Sequence, residues 1–492
     1  MENNTLCNRH SLGVNNHTKM YVTYTRIYGW SDYGGESSYQ PGYRLENMMW
    51  MTLLVYDYII PGEKYMKKDK IKGLVASVVI ITMSFGLCGC GNKSTDNRIV
   101  VEMVQYKPEA ADYFEQLEKE FNATHDDIQL KIDSPNDAMT ILKTRFIRED
   151  NPDIIGIGGD SNFSNFIDAN MLMDISDYDG LEMIKENYLA INKDLEFVPQ
   201  EGIYAVPYAA NAAGILYNKD MFEENGWEIP TTWNEFISLC ETIEESGKHP
   251  LYFGFKDTWT TLAPWNALAV GTCDSDLAYQ VNSGNATFSE AYEETATKIK
   301  VLLNYAEDNP VAYGYNDACT AFARGESAMY PIGSYAIPQI KSVNPDINIG
   351  SFTFPANDKK EDNILNSGND LMFCVMNDCD KKEAVYEVLD FLLEDDNVQT
   401  YLDAQSAVPC KKGEFELAYE LQDMKEYIDN GIVADFQDHH YPSEMAVDAM
   451  IQTYLLDNDE DALDTFLKKF DTEWVRYNRD IIEKVKRYQE GE

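Results

Sequence analysis

The chain has 492 residues, with 84 acidic against 40 basic side chains and a formal net charge of −44. A surface of that sign repels nucleic acid and anionic lipid, so it excludes a nucleic-acid-binding role and argues against a strongly anionic ligand. It suits an exported protein that stays monomeric at a crowded cell surface.

Residues 1–65 sustain neither a helical nor a strand period over a window. Their end, Gly62-Glu63-Lys64-Tyr65, back-translates to a purine-rich message compatible with GGAGAA just before the Met66 codon. The expectation is that Met66 is the true start and that 1–65 is a mis-called extension. Met66 opens a basic leader, `KKDK`, and Gly73–Leu87 follows as about fifteen uncharged residues. That run is too short to span a ~30 Å hydrocarbon core, which needs roughly twenty, but it has the length of a signal-peptide core. Its end, Leu87-Cys88-Gly89-Cys90, resembles the bacterial lipoprotein box, with Cys88 in a slot usually held by Ala or Ser. The resemblance implies a signal peptide at 66–89 and lipidation of Cys90 as the mature N-terminus. It also implies a tether at 90–97 and a place on the outer face of the cell membrane.

The remainder is about 400 residues, enough for two or three domains of ~150. Nearly all of the net charge lies in it. Its cysteines after Cys90 (Cys240, Cys273, Cys319, Cys374, Cys379 and Cys410) match no zinc spacing and mostly sit in apolar contexts. They read as buried thiols, with one disulfide left open. His439 and His440 are adjacent, so they point to different sides of an element and do not suggest a metal pair. No cofactor is implied.

In chain order, `RIVVEMVQY` (98–106) predicts a strand, and Tyr113, Phe114, Leu117 and Phe121 then share one helical face. `IQLKI` (128–132) is a second strand, `AMTILKTRFI` a helix, and Ile154, Ile155 and Ile157 a short apolar strand closed by Gly158-Gly159. Short apolar strands alternating with helices indicate a parallel sheet covered on both faces. Ligands lie beyond the carboxyl ends of such strands, where Asp160 falls. Residues 197–218 read as two strands around Pro207-Tyr208. Thr232 and Glu235 make a capping box for a helix that ends at Gly247. Further helices fall at `ETATKIKVLLNYAED`, `KKEAVYEVLDFLLED` and `DALDTFLKKFDTEW`, and strands at `SAMYPIG`, `NIGSFTF` and `LMFCVMN`.

The order of these blocks resembles the family 1 extracellular solute-binding proteins of carbohydrate ABC importers, over essentially all of 98–492. `NPDIIGIGGD` is similar to the family's Pro-Asp strand, and `GIYAVPYAANAAGILYNKDMFEENGWEIPTTWNEF` to its central signature. `FARGESAMYPIGSYA` is similar to its Phe-x-x-Gly strand and Gly-Ser-aromatic turn, and the stretch from `NSGNDLMF` to `VPCKKG` to its returning segment. The resemblance implies an α/β fold of two lobes with a ligand cleft between them. It places lobe one at 98–207 and 363–410, and lobe two at 208–362 and 411–492. It implies hinge closure on a solute, a carbohydrate ligand, ABC permease partners and no enzyme activity.

A sugar needs aromatic faces for its C–H groups and carboxylate or amide groups for its hydroxyls. Trp259 and Tyr335 are the expected stacking platforms, with Trp265 and Tyr106 as further aromatic candidates. Asp160, Asn211 and Asp370 are the expected hydroxyl partners. Asp160 and Asp370 also suit helix capping, and Trp265 also suits a core. No Arg or Lys cluster lies near these positions, which favours a neutral sugar over an acidic one. A glycan-active enzyme would need two facing carboxylates, and no Gly-x-Ser-x-Gly elbow occurs. A sugar sensor for a membrane kinase would use the same fold.

Overall fold

The computed structural model describes residues 98–491. The signal segment, Cys90 and the tether lie outside the described residues. The strands are β1 (Ile99–Gln105), β2 (Ile128–Asp133), β3 (Ile154–Ile157), β4 (Val206–Ala210), β5 (Ile215–Asn218), β6 (Met329–Tyr330), β7 (Ile349–Phe352), β8 (Leu365–Asn366), β9 (Asn369–Val375), β10 (Val408–Pro409) and β11 (Val433–Ala434).

One sheet has the order β10-β4-β9-β3-β1-β2. The strands β2, β1 and β3 run parallel, joined through the helices Ala111–Thr124 and Ala138–Ile147. The rest of the sheet departs from the expected parallel arrangement, because β9 is antiparallel to both β3 and β4. The reason is its route. β9 arrives from the second body at the carboxyl end of β3, with no crossover helix to turn it, so it runs against its neighbours. The strands β3, β4 and β9 are buried along their whole length, and β2 at the edge is only partly so. Uniform burial of central strands explains why their sequences are apolar without alternation. Val101, Met103, Phe114 and Phe121 pack one face, and Val104, Ile155, Ile157 and Phe163 the other.

Pro207-Tyr208 lies inside β4 and does not separate two strands. The β4–β9 register slips at Pro207/Ala209, and this bulge lets a residue without an N–H sit in a buried strand. The expected lobe border at 207/208 therefore falls within β4.

The second body has the antiparallel sheet β6-β5-β7 under a thick helical layer. Phe236, Trp265, Tyr292, Phe470 and Trp474 form its core. The helix Trp233–Glu245 begins at Thr232, whose hydroxyl accepts from Glu235 N at 3.3 Å, a cap worth about 1 kcal/mol. Glu235 reaches back one residue further than expected, to Thr231 N at 2.9 Å. Gly247 follows with φ +80°, where glycine is favoured. All six described cysteines are unbridged.

The chain crosses between the bodies at 211–214, again at 367–368, and a third time between Lys412 and Tyr419. Asn211 N donates to Gly368 O at 3.1 Å, and Ala213 N to Asn366 O at 2.8 Å. β8 pairs with β11, and Ser367 N donates to Ala434 O at 2.9 Å. The architecture is thus two α/β lobes joined by three connections, the first two hydrogen-bonded to each other. Gly368 is the tightest point. A Cβ there collides with Asp435 Oδ1 and lies 2.8 Å from Phe436 Cδ2. Gly368→Ala should lower the unfolding free energy by about 2 kcal/mol, as overpacking does, measured by chemical denaturation. An unchanged midpoint would show that the crossing tolerates a side chain.

Candidate functional site

The carboxyl ends of β1 and β3, the start of β9 and the segment 211–213 converge at one place in lobe one. β1 delivers Tyr106 and Lys107. The Gln105 side chain brackets the Lys107 backbone, donating to Lys107 O at 2.7 Å and accepting from Lys107 N at 2.6 Å. This aims Lys107 Nζ at Asp370 Oδ2, with both side chains only 9% exposed. Asn211 Nδ2 donates to the other oxygen at 3.0 Å, and Tyr106 donates its hydroxyl to Asp370 O at 2.6 Å. Tyr106, Asn211 and Asp370 are therefore brought together, but largely as partners of one another. Two close approaches explain Gly158-Gly159. A Cβ on Gly158 would sit 3.1 Å from the Tyr106 hydroxyl, and one on Gly159 would sit 3.2 Å from Asn369 Cβ.

Asp160 follows directly and caps the helix Ser161–Asp168, accepting from Asn162 N at 2.8 Å. Its carboxylate also takes the Asn162 amide at 3.1 Å and 3.2 Å. No cation pairs with it among the described residues.

Lobe two supplies aromatic rings. Trp259 sits on the one-turn helix Thr258–Thr261, anchored where Thr258 bonds Asp448, and the residue is 41% exposed. Tyr315 and Tyr335 flank it, with ring centres at 5.0 and 6.3 Å. Tyr335 folds back over Gly333, where a Cβ would collide with its ring, so the Gly-Ser-Tyr turn needs that glycine. Burial raises the Tyr335 phenol above its ordinary range, and the Asp438 and Asp370 carboxylates add to the effect. The ring therefore feels carboxylates of both lobes.

Trp265 is a correction. It has 0% exposure, packs edge-on to Tyr292 and Phe466, and donates its indole N–H to Tyr441 at 3.1 Å. It lies on the helix Leu262–Thr272, most of which is buried, so its ring has no face left for a ligand.

Two residues escaped the sequence reading. Lys107 carried no motif, and a Gln-x-Lys triplet is too common to mark a site. Asp438 lay in `QDHH`, which invites only a metal reading; among the described residues no group of three or more His, Cys, Asp and Glu side chains is placed to hold one. Asp438 Oδ1 accepts from Asn266 Nδ2 at 2.8 Å. Burial raises its carboxyl pKa, His439 offsets part of this, and Asp435 and Asp160 add to it.

Residues 107–399 match the family described as bacterial extracellular solute-binding protein. The multiple sugar-binding protein of Streptococcus mutans is 27% identical over 361 residues, covering 71% of this chain and 84% of that one. The apo form of RafE from Streptococcus pneumoniae superposes with a TM-score of 0.69 at 25% identity, covering 77% of this chain and 98% of that one. RafE in complex with raffinose gives 0.64 at 25% identity, with 76% and 100% coverage.

At the cleft rim, Asp194 ends the helix Glu186–Asp194 and faces His440 and Asn478 of lobe two. Burial, then Asp435 and Asp276, raise its carboxyl to about 6. A carboxyl whose folded pKa exceeds the unfolded value of about 3.9 binds its proton more tightly when folded. That stabilisation is present below pH 4 and is lost as pH rises through about 6. Asp194→Asn should therefore match the parent near pH 4 and exceed it at pH 7. The gain is on the order of 1 kcal/mol once solvent screening is allowed for. Thermal melts at both pH values test this, and equal gains at both would remove the titration argument.

Proposed function

The chain belongs to the bacterial extracellular solute-binding proteins, and on that footing we propose that it captures a neutral sugar or oligosaccharide and delivers it to the permease of an ABC importer. The observation that supports this reading is a pair of unlike surfaces, one on each lobe, within electrostatic reach of each other where Tyr335 feels Asp370. Exposed Trp259, braced by Tyr315 and Tyr335, belongs to lobe two. Asp160 and the Tyr106–Lys107–Asn211–Asp370 cluster belong to lobe one. An aromatic face opposed by fixed polar groups suits a pyranose, whose C–H face stacks while its rim hydroxyls bond. Similarity to a raffinose-bound protein supports the same class. Trp259 and Tyr335 serve as the stacking platforms and Asp160 as the free hydroxyl partner. Asn211 and Asp370 serve chiefly by holding the floor in place. The protein acts by binding and closure, as a monomer tethered outside the cell through lipid on Cys90.

Two measurements test this. A thermal-shift screen against neutral mono- and oligosaccharides should find a binder, and a ligand at a hundred times its Kd adds ~2.7 kcal/mol of stability. Trp259→Ala should abolish that shift while leaving the ligand-free melt nearly unchanged; a surviving shift would remove Trp259 from the site. Cys90→Ser should move the protein from the membrane fraction to the medium. Retention of the variant in the membrane would end the lipid-anchor reading.

A further inference from the structure

A second charge pair stands beside the crossing segments, and the site described so far does not use it. His439 lies on the short turn Gln437–His440, with Nδ1 2.8 Å from Asp435 Oδ1. Phe436 stacks on the imidazole at 5.0 Å and 26°. Both partners press on Gly368, where a Cβ would meet Asp435 Oδ1 and lie 3.0 Å from His439 Cε1. Gly368 O holds Asn211 N, and Asn369 O holds Gly159 N at 2.8 Å, one residue before Asp160. A continuous set of contacts thus runs from the His439 ring through Gly368 to the floor of lobe one.

The ring is oriented but not enclosed. Asp435 is 5% exposed, whereas the His439 side chain keeps 23%. Nε2 makes no hydrogen bond among the described residues. The charged groups that face the ring are Asp435 and Asp438 from its own segment and Asp160 from lobe one; His440 follows it in the chain. Lys107 is occupied by Asp370. Burial alone lowers the imidazole pKa. The Asp435 carboxylate overrides that, helped by Asp438 and Asp160, and the result is a rise to about 9. Both ring nitrogens then carry protons at neutral pH, one committed to Asp435 and one available.

We propose that His439 is a ligand-contacting residue of lobe two, its imidazolium aimed by Asp435 so that Nε2–H donates to an oxygen of the bound sugar. Asp160 and Asp438, which lack a lysine or arginine partner, accept hydrogen bonds from the sugar's hydroxyls on either side. Asp435 is a positioning residue that acts through His439. The inference rests on the carbohydrate reading of the cleft and adds a cationic donor to it.

The test uses the full chain and raffinose, followed by the tightest binder of a neutral-oligosaccharide panel, with Kd measured calorimetrically from pH 6 to 9.5. The parent should bind with constant affinity up to about pH 8 and weaken through about pH 9. His439→Gln should bind roughly tenfold more weakly at pH 7, the loss expected for one charge-assisted hydrogen bond, and should show no further weakening above pH 8. Asp435→Asn should move the midpoint down toward the ordinary histidine value near 6.5. The same midpoints should appear in the Cε1–H resonance of His439 in ligand-free protein. If Asp435→Asn does not fold, His439→Gln and that resonance decide the matter alone. A sugar that binds His439→Gln as tightly as the parent at every pH overturns the inference and leaves the carbohydrate reading standing. A panel without any binder overturns both.

Discussion

A buried ion pair sets the floor of the cleft. Lys107 and Asp370 are 263 positions apart in the chain, and each side chain is 9% exposed. Taking two charges out of water costs several kcal/mol per ion, and attraction offsets that only when the remaining bonding positions are filled. Here they are filled in part. Asn211 takes the second Asp370 oxygen, Gln105 brackets the Lys107 backbone, and Glu109 stands 3.6 Å from the ammonium. Loss of one partner would strand the other as a buried bare charge. The pair therefore fixes the end of β1, the start of β9 and the first crossing segment in one mutual arrangement, and Asp160 inherits its position through Gly159.

The connection between the lobes is a joint with packed surroundings. Beneath the crossings, Tyr188, Ala210 and Val408 share one apolar cluster with Leu216, Ile332 and Leu421 of the second body. Any rotation of the lobes would have to accommodate that cluster, which would confine bending to the crossings. Those crossings are Asn211–Gly214, Ser367–Gly368 and the stretch between Lys412 and Tyr419. Gly214 and Gly368 have no room for a Cβ, against Phe352 O and Asp435 Oδ1 respectively. Their requirement is steric closeness, since neither glycine has positive φ. Hinge closure of this kind needs a few residues that absorb dihedral change while packed elements move rigidly.

How much of this was legible in the sequence varied with the range of the interaction. Local signals carried well. The strands around 98–106, 128–132 and 371–377, the Thr232 cap and Gly247 all rest on neighbours in the chain. Direction in the sheet did not, because β9 takes its orientation from a route through the other lobe that no local pattern records. Pro207 misled because its usual meaning, a break, is cancelled by a bulge that depends on the partner strand. The two tryptophans six residues apart show the same limit. Trp259 ends up at the surface and Trp265 in the core, a difference made by Tyr292, Tyr441 and Phe466, which come from distant segments. Asp370 stood out as a site residue, but nothing local announced that Lys107 would neutralise it.

The distribution of charge reconciles a strongly acidic chain with the proposed neutral ligand. At the floor, Asp370 is matched by Lys107, and at the crossing Asp435 is matched by His439. Asp160 and Asp438 remain without a lysine or arginine, on opposite lobes, each held by an asparagine amide. Each carboxyl thus has an oxygen oriented by an amide N–H. Both also face the His439 imidazole, so the three groups form one polar set drawn from the two lobes. A ligand rich in hydroxyls can bond all three, whereas an anionic ligand would add a further negative group beside the two carboxyls. On the proposed reading, a neutral sugar therefore suits this set better than an anion does.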